Sequence, residues 1–184
     1  MRVITGIARG RKLETPPGAA TRPTSAMVKE AMFSIVQFEV EGAQVLDLFA
    51  GSGQLGIEAL SRGAHRATFV ENSKEGGAAI RQNLKATGLL GERARIVSGD
   101  VLGFLRGGSG RFCDIAFVDP PYDLGVLGKT LKLLAPVMSE GGVILCEAAA
   151  EGEIPGDIDG IWLKKSYKYG KIRVLQYRAG QGEV

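Results

Sequence analysis

The sequence has few of the residues that build metal centres and covalent frameworks, with one histidine and two cysteines in 184 residues. His65 stands alone in the polar turn "SRGAHR", and Cys113 and Cys146 each lie in or beside an apolar run, with no spacing that would ligate a metal. No structural zinc or other metal is expected on these grounds, and both cysteines read as small core thiols. No apolar run approaches the roughly 20 residues of a membrane span, and the leading "MRVITGIARGRK" lacks the apolar region of a signal peptide. A cytoplasmic protein without membrane partners is therefore expected. Repeats and low-complexity tracts are also missing, and the length leaves room for one well-buried core rather than two full domains.

Net charge is small too, only +3, but it is unevenly placed. Residues 1–30 carry Arg2, Arg9, Arg11, Lys12, Arg22 and Lys29 against Glu14 and Glu30, a net of +4, which leaves the remaining chain at −1. A basic leading segment on a neutral body points to a polyanion contacted from one end, with Arg9, Arg11 and Lys12 as its phosphate contacts. The plain alternative is a solvated charged hairpin.

From Gln44 onward, short apolar runs alternate with longer amphipathic ones. The runs "QVLDLF", "RATFVE", "ARIVSGD", "CDIAFVDPPY" and "GGVILCE" read as strands. Helical patterns over about 54–61, 73–87 and "VLGKTLKLLAPVM" separate several of them. This alternation predicts an α/β, doubly wound, mostly parallel sheet with helices on both faces. Two last runs, "GIWLKKSYKYG" and "KIRVLQYR", are too close for a crossover and predict a C-terminal antiparallel hairpin, bringing the sheet to seven strands.

At the other end, "RVITG" and "RKLETP" predict a small N-terminal β-hairpin turning through Ala8-Arg9-Gly10, followed by the extended linker "PPGAATRPTS". Thr24 or Ser25 can cap the helix "AMVKEAMFSIVQF", whose Met27, Ala31, Ile35 and Phe38 recur at helical spacing and read as packing residues. Residues 1–23 are thus expected to form a basic extension that positions a polyanion and 24–184 the main domain. Gly76-Gly77 conflicts with its helical surroundings, at about 1 kcal/mol per glycine.

The first βα turn, "DLFAGSGQLG", contains a formal G-x-G-x-x-G after a strand and before a helix, the setting in which that motif binds a nucleotide-like ligand. Asp47 at its front edge disfavours a pyrophosphate and suits the ammonium of a methionine moiety. Glu71 ends the second strand 24 residues later, where it can accept from two ribose hydroxyls. Asp100 ends the third strand and can accept from an adenine amino group, to which Val101 can offer its backbone N–H. Three carboxylates at three successive strand ends make an acidic rim suited to the cationic sulfonium of S-adenosylmethionine.

The fourth strand ends in "FVDPPY", Phe117 to Tyr122. Its prolines fix the backbone and remove donors, leaving carbonyls as acceptors. Asp119 and the Pro120 carbonyl can accept both hydrogens of an exocyclic amine, and Tyr122 can stack on the base that carries it, at roughly 1 to 3 kcal/mol.

The ordered set "DLFAGSG", "FVE", "SGD" and "VDPPY" resembles a class I, S-adenosylmethionine-dependent amino-methyltransferase with a Rossmann-like fold. The leading "RVITGIARGRKLETP", "TRPT" and "VKEAMFSI" resemble the RsmD family, over nearly the whole chain. That resemblance implies methylation of the N2 amine of a guanine in 16S ribosomal RNA, presented by an assembled or partly assembled small ribosomal subunit, by a monomeric enzyme. It implies cofactor binding by Asp47, Gly51, Ser52, Gly53, Glu71 and Asp100, and a target-base site at Asp119, Pro120, Pro121 and Tyr122. Arg22, Pro23 and Thr24 match the family linker near the active-site mouth. Ser34, where Asn is usual, and Gly76-Gly77 depart from the pattern. Three rivals remain at this point. A DNA adenine or cytosine methyltransferase would usually carry a target-recognition domain for which this chain has no room. An NAD-linked oxidoreductase is disfavoured by Asp47, and a non-catalytic RNA-binding module by intact Asp119 and Tyr122.

Overall fold

The computed structural model describes residues 1–16, 26–108, 110–120, 124–158 and 160–180. The expected linker beyond Pro16, with Arg22, Pro23 and the caps Thr24 and Ser25, lies outside them, as do Pro121 and Tyr122. After α1 (Ala26–Ile35) the chain alternates through β1 (Gln44–Leu48), α2 (Gln54–Ser61), β2 (Arg66–Glu71), α3 (Lys74–Thr87) and β3 (Ala94–Ser98). It continues through α4 (Val101–Arg106), β4 (Cys113–Val118), α5 (Leu124–Leu134) and β5 (Met138–Ala149), and ends in β6 (Ile161–Tyr169) and β7 (Ile172–Ala179).

The strands form one seven-stranded sheet in the order β3-β2-β1-β4-β5-β7-β6. β1 to β5 are parallel, and β7 runs antiparallel to both β5 and β6. The expected doubly wound sheet with a C-terminal hairpin is therefore present. Its order reverses between β1 and β4, and in open α/β sheets ligands collect outside the strand carboxyl ends at such a switch point.

Alternation along the central strands assigns side chains to two core layers. Ile115 and Phe117 of β4 join Val28, Phe33, Ile57, Phe69 and Ile80 in the layer under α1, α2 and α3. Ala116 and Val118 join Val101, Leu105, Leu127 and Leu131 in the layer under α4 and α5. Burial on both faces explains why these strands read as nearly unbroken apolar runs. Cys113 and Cys146 are free, buried core thiols whose pKa burial pushes up. Among the described residues no helix is long and apolar enough to cross a membrane.

Helix α1 packs differently from its predicted register. Val28, Lys29, Met32 and Phe33 are buried, whereas Met27 is 57% exposed and Phe38, beyond the helix end, 91%. Both sets fit a 3.6-residue period, because "AMVKEAMFSIVQF" is apolar around most of its circumference. The choice falls to Phe33, whose ring lies 5.1 Å from that of Phe117.

The leading hairpin is reduced to one antiparallel bridge, Arg2 with Lys12, around a turn over residues 5–10. Val3, Ala8 and Leu13 are buried in the α1–α3 core layer. Glu58 of α2, itself fully buried, fastens the segment by accepting from Ile4 N (2.8 Å), Thr5 N (2.9 Å), Arg62 Nε (2.9 Å) and Lys29 Nζ (3.3 Å). Lys29 also donates to the Arg2 carbonyl at 2.6 Å, and burial lowers its pKa against the pull of Glu58. Lys29 therefore belongs to the interior and leaves the basic surface that composition had credited with it.

Candidate active site

The turn after β1 is built from left-handed backbone. Phe49, Gly51 and Gly53 have φ of 61°, 55° and 75°, and the Gly53 N–H closes onto the Ala50 carbonyl at 2.7 Å. The three glycines of the motif serve different ends. At Gly51 a β-carbon would meet only the Phe49 carbonyl oxygen, at 4.0 Å, so glycine answers to conformation there. At Gly56 a β-carbon would stand 2.3 Å from Phe69 Cε1, so glycine lets α2 lie directly on β2. Phe49 is the non-glycine residue in this conformation, a strained state of the kind that collects at functional sites, and no feature of the sequence marks it.

Asp47 is 2% exposed and turns under the loop, its Oδ2 accepting the Gly56 N–H at 2.8 Å. Burial pushes its pKa up to about 8, with further upward pressure from Asp119 and Glu71 and an opposing effect of the Gly56 N–H. Glu71 is held by three donors. Gly51 N reaches its Oε2 at 2.9 Å, and Ser73 N and Ser73 Oγ reach its Oε1 at 2.8 and 2.7 Å. This arrangement resolves half of the Gly76-Gly77 conflict. A β-carbon on Gly76 would stand 2.6 Å from Glu71 Cγ and 2.7 Å from Ser73 Oγ, so only glycine lets the carboxylate lie against the first turn of α3.

Asp100 is exposed and caps α4, its Oδ2 accepting the Gly103 N–H at 2.7 Å. Val101, buried, is the first residue of α4, where backbone N–H groups have no intrahelical partner. Asp119 follows β4, and the pairing of Val118 with Leu48 sets it beside the glycine turn, with its N–H toward the Leu48 carbonyl at 3.5 Å. Pro120 is buried behind it. Asp47, Glu71 and Asp119 thus share one edge of the sheet, with Asp100 at the end of the neighbouring β3. Arg9, Arg11 and Lys12 are exposed on the leading segment, and among the described residues none of them makes an ion pair.

Sequence reasoning missed Asn83. This buried α3 side chain accepts from Glu14 N at 2.8 Å and donates through Nδ2 to the carbonyls of Glu14 and Ser52, both at 2.9 Å. It ties the leading segment to the glycine turn. The available signal was a polar residue between Ile80 and Leu84 on the apolar stripe of α3. Among the described residues no three His, Cys, Asp or Glu are grouped to hold a metal.

Comparison with known proteins gives a consistent result. A family model described as conserved hypothetical protein 95 matches residues 1–178. The chain is 36% identical to ribosomal RNA small subunit methyltransferase D of Escherichia coli K12, over all of this chain and 92% of that protein. It is 35% identical to the putative rRNA methyltransferase YlbH of Bacillus subtilis 168, over 97% of this chain and 98% of that one. The solved structure of the putative methyltransferase yhhF from Escherichia coli superposes with a TM-score of 0.84 at 34% identity, covering 99% of both chains. A match of this extent, carried by relatives of nearly equal length, shows that the chain belongs to the family of conserved hypothetical protein 95, the RsmD family.

Proposed function

We propose that this protein transfers a methyl group from S-adenosylmethionine to the exocyclic N2 amine of a guanine in 16S ribosomal RNA, acting in the cytoplasm as a monomer on an assembled or partly assembled small subunit. The observation that carries this reading is the acidic edge. Asp119 and Glu71 each act electrostatically on Asp47, and among the described residues no basic side chain is one of the groups that shift it. A cationic ligand would relieve that repulsion. A dinucleotide pyrophosphate would increase it.

The residues present fit such a ligand. Asp47 would pair with its ammonium group, the amides around Gly51, Ser52 and Gly53 would line the methionine end, and Glu71 would accept from the ribose hydroxyls. Asp100 and the Val101 N–H would address the adenine. When bound, S-adenosylmethionine supplies an electrophilic methyl group on a sulfonium. Asp119 and the Pro120 carbonyl would accept the two hydrogens of the guanine amine and hold its lone pair toward the methyl donor, with Pro121 shaping the turn and Tyr122 stacking on the extruded base. The proton leaves to Asp119 or water, and no covalent enzyme intermediate is needed. Arg9, Arg11, Lys12, Arg22 and Thr24 would address the RNA outside the reacting base, with residues 1–23 as the positioning element. The names of the relatives support the ribosomal substrate.

The test has two parts. S-adenosylmethionine and its demethylated product should raise the Tm where NAD at equal concentration does not. Asp119→Ala should then lose most turnover on small subunits while binding the cofactor normally. Full turnover by that variant would overturn the mechanism, and mapping by mass spectrometry the nucleotide left unmethylated in a deletion strain would confirm or refute the base.

A further inference from the structure

Gly77 is the half of the glycine pair that packing does not explain. A β-carbon there would find Ser98 Oγ at 3.9 Å and nothing closer, so a larger residue would fit. Gly77 instead lies in the wall of an open groove of about 530 Å³ between α3 and the edge strand β3. Lys74, Arg81 and Lys85 line the groove from the helix and Ile96 and Ser98 from the strand, and among the described residues no acidic one lines it.

The three cations share one helical face, since their spacing of seven and four residues returns to the same side of α3. Together they span about 16 Å along the axis. All three are exposed, and among the described residues none makes an ion pair, whereas Lys29, Arg62, Arg111, Lys168 and Arg178 each face a carboxylate. Lys74 also stands in the first turn of α3, where the helix dipole opposes a cation, so its charge does not serve the helix. The groove starts next to Ser73, which holds Glu71, and leads away from the acidic edge.

Resting on the proposed ribosomal substrate, we infer that this groove is a second RNA-docking surface, in which Lys74, Arg81 and Lys85 follow the phosphates of one strand and Gly77 lets the backbone approach the helix. Its charge is opposite to that of the cofactor edge, so the methyl donor is repelled from it and a polyanion drawn to it. Phosphate contacts of this kind position a target without reading its sequence.

The test is the salt dependence of binding to small ribosomal subunits purified from a strain lacking the enzyme. The double variant Arg81→Ala/Lys85→Ala should bind S-adenosylmethionine as the parent does, bind subunits more weakly, and lower the log-log salt slope by about 1.4 to 1.8. Gly77→Ala, which removes a poor helix former, should keep or raise the Tm and still weaken subunit binding. Subunit affinities and slopes equal to the parent's in both variants would overturn the groove assignment, while leaving a parent enzyme that methylates subunits through its leading segment. If the double variant lost affinity for intact subunits but not for protein-free 16S rRNA, the groove would hold an acidic protein and the RNA assignment would be wrong. A parent enzyme that neither bound nor methylated subunits would overturn the ribosomal reading itself, and this inference with it.

Discussion

Two buried glutamates, Glu58 of α2 and Glu71 at the end of β2, are treated oppositely. Glu58 accepts from two backbone amides but also faces Lys29 and Arg62, so its charge is cancelled within the protein. Glu71 has three donors, and all are neutral, two backbone N–H groups and a hydroxyl. Hydrogen-bond satisfaction is similar in the two cases, and net charge differs. A carboxylate ringed by cations becomes a fastener. One ringed by neutral dipoles is oriented with no cation among those donors to cancel its charge, and together with Asp119 it presses on the carboxyl group of Asp47.

The largest expected effect comes from breaking the fastener. Glu58→Ala leaves Lys29 buried without its carboxylate and two amides without acceptors, at a cost of about 3 to 5 kcal/mol. Chemical denaturation should show the loss, and hydrogen exchange at Ile4 and Thr5 should rise with it. A stability loss under about 1 kcal/mol would mean that the cluster is not the clamp described. Next comes Asn83→Ala, which strips Glu14 and Ser52 of their partners and should cost about 1 to 3 kcal/mol. Because Ser52 lies in the glycine turn, cofactor affinity should fall as well, and Asn83→Asp should recover only the bond from Glu14 N.

The third effect is a dependence on pH. A carboxylate whose folded pKa lies at about 8, above the ordinary 3.8, favours the ligand-free fold at low pH and loses that contribution as pH rises toward 8. A cationic ligand needs the ionised form, so its binding must release the proton. The affinity for S-adenosylmethionine should therefore rise by up to about tenfold per pH unit between about 6 and 8, and Asp47→Asn should flatten the profile. Calorimetry in buffers of different ionisation enthalpy reads the released proton directly. The smallest effect belongs to Ser73→Ala, which removes both the cap of α3 and one donor to Glu71. It should cost about 1 kcal/mol of stability, together with a loss of cofactor affinity that Ser73→Thr restores.

Much of the architecture was legible in the sequence, because each central strand is an apolar run buried on both faces and each crossover helix announces its period. The terminal hairpin was legible from the shortness of Tyr169-Gly170-Lys171, which leaves no room for a helix. The register of α1 was not, since a helix apolar almost all round carries no directional signal, and only Phe117 on a strand 84 residues later selects Phe33. In the site, Asp47, Glu71, Asp100 and Asp119 could be named because acidic residues at strand ends are conspicuous. What each carboxylate does there could not be read. That depends on long-range partners such as Gly51 for Glu71, and on left-handed backbone at Phe49, where the side chain gives no hint. Gly76 looked like a defect until the position of Glu71 accounted for it.

The clamp on the leading segment also sets an order of events during folding. Its hydrogen bonds to α2 and α3 join residues 53 to 69 positions apart, from Thr5 to Glu58 and from Glu14 to Asn83. The leading segment therefore cannot complete its docking until α2 and α3 have followed it. Contacts of such separation carry loop-closure entropy that must be met before they return any stability, so the segment joins late, onto a sheet already assembled. Until then its arginines and lysines are held only by water, and the basic surface comes into being as one of the last acts of folding.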